Sequence, residues 1–212
     1  MKNKTPRFLN IILCLSVCFF AACNKESGPT TVNGTVRDVT NNIGVSNAEV
    51  GLFETDGESA FGLGGVLLEE KYSDTSGEFI FNFNAREGYQ YYVQAIKEQY
   101  FNNQSSNITF VNNLGNVGEL EVFLEPESFI LLNIKNIPPS STNDVIGLNT
   151  PFSDIGGAFY GADIDTTIII QTYGNTENQI VKFIYYIDSL ISQETYLIYT
   201  PSFDTTYYEI LY

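Results

Sequence analysis

The chain has 212 residues, 43% of them hydrophobic, and its ten basic against 25 acidic side chains leave a net charge of −15 at neutral pH. Such an acidic surface is repelled by phosphate backbones, so nucleic acid is excluded as a partner. Histidine and tryptophan are absent; a Ser-His-Asp triad is therefore impossible, and the commonest general base and metal ligand is missing.

The first 22 residues read as a targeting segment. Lys2, Lys4 and Arg7 form a positive start with no acidic residue, and Phe8 to Phe20 is an apolar run broken only by Asn10 and Ser16. Such a run matches the core of a signal peptide; a membrane span needs about 20 apolar residues. Ala21 and Ala22 then lead into Cys23. This pattern resembles the lipobox of bacterial lipoproteins, with Phe20 standing where Leu is usual. The resemblance implies that residues 1–22 are removed and that Cys23 becomes the lipidated first residue of the mature chain.

The cysteine count agrees. Cys14 and Cys18 lie in the segment to be removed, which leaves Cys23 as the single thiol and permits no intrachain disulfide. Removal of Lys2, Lys4 and Arg7 leaves seven basic residues and all 25 acids, a balance of −18. Residues 23–30 read as the lipidated terminus and a polar tether. Within it, the Lys25-Glu26 pair is similar to the surface-export signal of Bacteroidetes lipoproteins.

After residue 23 the apolar residues alternate at the period of strands, and no helical period of useful length occurs. Seven runs occupy the first half. Val32, Gly34 and Val36 mark the first, Ala48, Val50 and Leu52 the second, and Val66 to Tyr72 the third. After the turn Asp74-Thr75-Ser76-Gly77, Phe79, Phe81 and Phe83 put three aromatics on one face. Tyr89, Tyr91, Val93 and Ala95 line the fifth. Ile108 and Phe110 give the sixth, and Leu120, Val122 and Leu124 the seventh. The Gly-rich stretch Glu54–Gly65 lacks the Lys-Ser/Thr of a phosphate loop and reads as a long loop positioned to contact a partner.

Three pieces of this half, in order, resemble the carboxypeptidase regulatory-like domain, a transthyretin-like sandwich. They are Val32-x-Gly34-x-Val36-x-Asp38, then Gly44-Val45-Ser46-Asn47-Ala48-x-Val50-x-Leu52, then Ser73-Asp74-Thr75-x-Gly77-x-Phe79-x-Phe81. The resemblance assigns residues 31–125 to one such sandwich. Related adhesin repeats join a first-strand Lys to a last-strand Asn. Here the first strand carries Arg37, and Lys135, in the first strand of the second half, faces a last strand without Asn, so no such bond is expected.

A second pattern follows Pro126. Ile130, Leu132 and Ile134 alternate; Thr166–Tyr173, Gln179–Ile187, Tyr196–Tyr199 and Thr205–Tyr212 are strands; Val145–Leu148 and Ala158–Gly161 are shorter ones. Gly174-Asn175 is a turn pair of the hairpin kind. The expected fold is all-β, two tandem antiparallel β-sandwiches, the second over residues 126–212.

Candidate sites are few. Asp154, Asp163 and Asp165 are oxygen ligands of the kind Ca²⁺ takes, but lack EF-hand spacing and read as solvated loop acids. Tyr89, Tyr91, Tyr92 and Tyr100 cluster in the first half, and Tyr185, Tyr186, Tyr196, Tyr199, Tyr207, Tyr208 and Tyr212 in the second. Tyrosine suits a sugar ring or a protein interface, and is also favoured in strands for its own sake. No catalytic residue, metal site or cofactor is read from the sequence. The expectation is a non-catalytic lipoprotein of the outer membrane, held there by a lipid on Cys23. Its sandwiches would meet a protein or glycan partner. An adhesin or pilin-like subunit and a carbohydrate-binding accessory protein are the alternatives.

Overall fold

The computed structural model describes residues 27–56, 64–101, 107–137, 141–149, 158–186 and 189–212. They form strands and turns only. Seven strands make the first sandwich: β1 (Gly28–Asp38), β2 (Glu49–Thr55), β3 (Val66–Tyr72), β4 (Glu78–Ala85), β5 (Gln90–Ile96), β6 (Ile108–Phe110) and β7 (Val117–Leu124). One sheet has the order β4-β1-β7 and the other β3-β2-β5-β6. Side chains two apart along a strand point the same way. Val32 and Val36 from β1, Phe79 and Phe81 from β4 and Val122 from β7 therefore meet Val50 and Leu52 from β2 and Tyr91 and Val93 from β5 in one buried core. β1 begins at Gly28, whose partner is Ala85, so Gly28, Pro29 and Thr30 belong to the sheet rather than to the tether expected over residues 23–30.

The second sandwich contains β8 (Glu127–Lys135), β9 (Asp144–Asn149), β10 (Ala158–Tyr160), β11 (Asp165–Tyr173), β12 (Thr176–Tyr186), β13 (Ser189–Thr200) and β14 (Thr205–Leu211). Its sheets have the orders β11-β8-β14 and β10-β9-β12-β13. Raising every strand number of the first sandwich by seven reproduces the second, so the chain folds one topology twice. Its core is aliphatic: Ile130, Leu132 and Ile134 from β8, Ile170 from β11 and Ile210 from β14 face Ile146 and Leu148 from β9, Ile180 from β12 and Ile198 from β13.

Both units depart from a purely antiparallel pattern at one place. The first strand of each pairs in parallel with its last, β1 with β7 from Thr31↔Val117 to Asp38↔Leu124 and β8 with β14 from Phe129↔Thr205 to Lys135↔Leu211. All other strand pairs are antiparallel. The chain therefore enters each sandwich at one pole and leaves it at the other.

The Gly174-Asn175 turn also differs from expectation. Asn175 takes the left-handed conformation of a turn residue (φ 56°). The flanking strands β11 and β12 lie in different sheets, however, so the turn is a corner between layers and not a hairpin. Buried Asn178 pins that corner: its amide donates to Thr200 Oγ1 (2.7 Å) and Tyr173 O (2.9 Å) and accepts from Thr172 Oγ1.

Candidate functional site

Cys23 and Asp154 lie outside the described residues. Asp163 is exposed, and Asp165, at the start of β11, accepts from Asn133 Nδ2 at 3.2 Å and pairs with Lys135 at 3.2 Å. Those two contacts, Asn133 first, hold its carboxyl below the usual value. Among the described residues no group of three or more acidic or thiol side chains is placed to hold a metal ion.

The motif glycines have steric tasks. A methyl at Gly34 would stand 2.0 Å from the Phe79 ring, which lies flat over that position in the core. A methyl at Gly44 would stand 1.9 Å from Ser76 O, because the turn after β1 and the turn before β4 are in backbone contact. Asp38 Oδ1 organises one of those turns by accepting from Thr40 N (2.8 Å), and Asp74 Oδ1 organises the other by accepting from Ser76 N (2.8 Å) and Glu78 N (2.9 Å). Gly77 needs its φ of +85° to complete the second turn. Ser73 Oγ accepts from Ala48 N and donates to Val45 O, tying β2 to the same region. The residues that carry the resemblance thus hold the turns and the core packing of the first sandwich.

At the Gly28 pole the β4–β5 corner closes on a buried carboxylate. Arg86 donates from Nε to Glu54 Oε2 at 2.9 Å and from Nη2 to Oε1, and Tyr91 Oη–H donates to Oε2 at 2.6 Å. Tyr91 Oη also accepts from the Arg86 backbone N–H, and the guanidinium lies 4.0 Å from the Tyr89 ring centroid. The Arg86 contact, working against burial and helped by Tyr91, holds the Glu54 carboxyl below its ordinary value. Burial, then the Glu54 carboxylate, pushes the Tyr91 phenol up. Glu54 thus ties Arg86 and Tyr91 together at this corner.

The second sandwich holds a lysine in its interior. Lys182 projects from β12 on the same face as Asn178 and Ile180, and its side chain is 4% exposed. Its ammonium pairs with Glu194 at 2.7 Å, donates to Leu211 O at 3.3 Å and lies 5.5 Å from the Tyr196 ring centroid. Burial opposes the charge, but Glu194 and Tyr196 outweigh it and raise the Lys182 pKa. This lysine therefore links β12 and β13 to the last strand of the opposite sheet. Lys135, by contrast, is exposed.

The tyrosine clusters separate by burial. Tyr91 is core, Tyr100 is at the junction described below, and Tyr89 packs on the core edge. Tyr196, Tyr208 and Tyr212 pack partly against the second core, while Tyr199 and Tyr207 are exposed. Among the described tyrosines neither cluster forms a continuous exposed surface, and the side chains of Tyr185 and Tyr186 lie outside the described ones. A row of ring contacts lies across the β3-β2-β5-β6 sheet: Phe53 on β2, Tyr92 on β5 and Phe110 on β6 are successive register partners, with Leu67 on β3 beside Phe53 and Tyr92 buried at the centre. Phe53 and Tyr92 stack at 5.0 Å with planes 7° apart, and Tyr92 meets Phe110 edge-on at 5.8 Å. Leu67 and Phe110 at the two ends are exposed. Phe53 is out of phase with the inward Val50 and Leu52, and that break in alternation was the available signal.

The two sandwiches meet through a short, heavily bonded junction. Only Glu125 and Pro126 separate β7 from β8. Glu125 O accepts from Phe101 N (2.9 Å), Pro126 O from Gly174 N (2.8 Å) and Glu127 O from Phe203 N (2.8 Å), while Glu127 N donates to Gln99 O (2.8 Å). Tyr100 packs edge-on against Phe203 at 5.2 Å and Phe101 against Tyr173 at 4.7 Å. Tyr100 Oη–H donates to buried Asp38 at 3.2 Å, and burial with that carboxylate pushes the phenol up to about 12. Gln99 (φ 67°) and Phe203 (φ 62°) hold left-handed backbones that side chains other than Asn and Asp seldom adopt. Phe203 is held there by the Tyr100 ring, and Gln99 by the bond from Glu127 N to its carbonyl.

No family model matches the chain, and no curated protein matches it. Among solved structures it is similar to the TIE protein of Bacillus anthracis, at 11% identity and a TM-score of 0.38, over 87% of this chain and 34% of that one. It is also similar to a streptococcal ancillary pilin, at 12% identity and a TM-score of 0.40, over 86% of this chain and 62% of that one. A third is the shaft pilin SpaA of Lactobacillus rhamnosus GG, at 7% identity and a TM-score of 0.32, over 87% of this chain and 97% of that one. The chain thus spans about a third and under two thirds of the first two proteins. Likenesses of this degree bear on neither activity nor partner.

Proposed function

We propose that the chain is a non-catalytic lipoprotein of a bacterial outer membrane, anchored through Cys23 and displaying two β-sandwiches of one topology. The observation that carries the reading is the position of Cys23, five residues before the first packed strand and alone as a thiol once residues 1–22 are gone. Five residues reach at most about 18 Å when fully extended. The Gly28 pole, with its Glu54–Arg86–Tyr91 clamp, is then the pole nearest the lipid, and the second sandwich is the distal one. Two or more acyl chains provide stable anchoring at about 0.8 kcal/mol per buried methylene. Leu67 and Phe110, the exposed ends of the Phe53–Tyr92–Phe110 row, mark the flank of the first sandwich that we assign to a protein or glycan partner.

The anchor is tested by growing cells with a fatty-acid probe and comparing the wild type with Cys23→Ala. Label confined to the wild type supports the reading; full label on the variant overturns it. A pilin-like or adhesin subunit is the second reading, favoured by passage of the chain from pole to pole through each repeat. Concentration-dependent assembly in size-exclusion chromatography supports it, and a strict monomer at high concentration counts against it.

A further inference from the structure

We infer that both sandwiches are built to bear tension along the chain, with the parallel pair of first and last strands as the mechanical clamp in each. The inference rests on the anchored reading for its biological setting, since tension needs a fixed end. It rests on topology alone for its physics.

The β1 and β7 strands run side by side in the same direction over eight register pairs, and β8 and β14 over seven. A pull on the Gly28 end of β1 and the Leu124 end of β7 therefore draws two neighbouring strands past each other. Every ladder hydrogen bond between them is strained at once, and none can break ahead of the rest. Had the first and last strands been antiparallel neighbours, their outer ends would lie at one pole, and the same pull would peel the ladder one pair at a time. The second sandwich repeats the arrangement between Glu127 and Leu211.

Other contacts brace the same strands against sliding. β1 and β8 are central strands, held on their other side by β4 and β11. Arg37 on β1 pairs with Glu121 on β7 at 2.7 Å across the first clamp. Lys182, reaching from the opposite sheet to Leu211 O, holds the free side of β14. The continuation of β8 also bonds to the end of the last strand, with Ile137 N donating to Tyr212 O at 2.8 Å and Tyr212 N to Lys135 O at 3.1 Å. The junction transmits the pull, because only two residues separate β7 from β8 and Glu127 N of the second sandwich donates to Gln99 O of the first at 2.8 Å. The two clamps are non-covalent, and their strength comes from direction.

The test is single-molecule force spectroscopy on the unlipidated mature chain, in two geometries. In the first, handles are attached at the Cys23 thiol and after Tyr212. In the second, they are attached at Cys23 and at Val117→Cys, an exposed outer-face position at the Gly28 pole. The first geometry shears β1 against β7, and the second unzips them. End-to-end pulling is expected to give two steps, each releasing on the order of 30 nm of chain as a sandwich extends. The step of the first sandwich should occur at severalfold higher force than in the unzipping geometry. Equal or lower force in the end-to-end geometry overturns the proposal. A thermal melt shared by wild type and Val117→Cys ensures that the two geometries compare one fold. Because no lipid is present, the result is independent of the fatty-acid label, and either reading can fail alone.

Discussion

Gly44→Ala separates steric necessity from backbone conformation in the motif of the first sandwich. The added methyl would sit 1.9 Å from Ser76 O and 2.7 Å from its carbonyl carbon, both backbone atoms that cannot rotate away. Restoring an ordinary contact requires the two turns to part by about 1 Å, since real Cβ contacts essentially never fall under 3.0 Å. That movement strains two backbone bonds, Val36 N to Gly77 O and Val45 N to Val36 O, each 2.8 Å long. Losing them costs about 1 kcal/mol apiece. Overpacking adds roughly 1–3 kcal/mol, for a total of about 3–5 kcal/mol. In a sandwich of this length such a loss lowers the melting temperature by roughly 12 °C or more. Gly88→Ala is the control. Gly88 has a φ of +82° and no neighbouring atom within 4 Å of where its methyl would stand, so its cost is backbone strain alone, about 1 kcal/mol. Urea unfolding of the mature chain, followed by circular dichroism for wild type and both variants, gives the comparison. If Gly44→Ala is no more destabilising than Gly88→Ala, the paired turns do not depend on their close approach.

Three further outcomes are expected. Glu54 titrates below its ordinary 4.5 in the folded chain. The stability it contributes is therefore complete above that value and is lost as the pH falls through the lower, folded one. Glu54→Gln should flatten the acid limb of a urea-midpoint profile, and Tyr91→Phe should cost about 2 kcal/mol at neutral pH by removing a donor to a buried carboxylate. At the interior lysine the order of damage is informative: Glu194→Ala strands a buried ammonium and should cost about 2–3 kcal/mol, more than Lys182→Met, which leaves only an exposed carboxylate. Equal losses in denaturant titrations would contradict that order. At the junction, Tyr100→Ala deletes both the Phe203 packing and the bond to Asp38. NMR relaxation should report one tumbling body for the wild type and two for the variant, and a single body in both would show that the backbone bonds suffice.

The strands were legible in the sequence because half-buried sheets impose a period of two. All seven expected runs of the first half fall on β1 to β7, and Phe79 and Phe81 are core as their spacing implied. What periodicity does not encode is partner and direction. The parallel pairing of β1 with β7 joins residues 86 apart, and no local pattern reports it. The same gap concealed the repeat, since a core of valines with Phe79, Phe81 and Tyr91 and a core of isoleucines build one topology with different side chains. The turn pair Gly174-Asn175 was visible, but its role as a corner depended on Asn178, Thr172 and Thr200 meeting in space. Tyrosines were ambiguous in the sequence, because sheet propensity, core burial and surface recognition all select them. The aromatic row was missed because Phe53, Tyr92 and Phe110 come from three separate strands. Cys23 is a different case: the anchor proposed for it rests on the sequence alone, since the residue lies outside the described ones.

Intact-mass spectrometry of the chain extracted from membranes tests the central claim most directly. The expected species is a mature protein that begins at Cys23, with the added mass of a diacylglyceryl group and an N-acyl chain confined to its first tryptic peptide. A chain that begins elsewhere, or that carries an unmodified Cys23 thiol, would contradict the anchored reading.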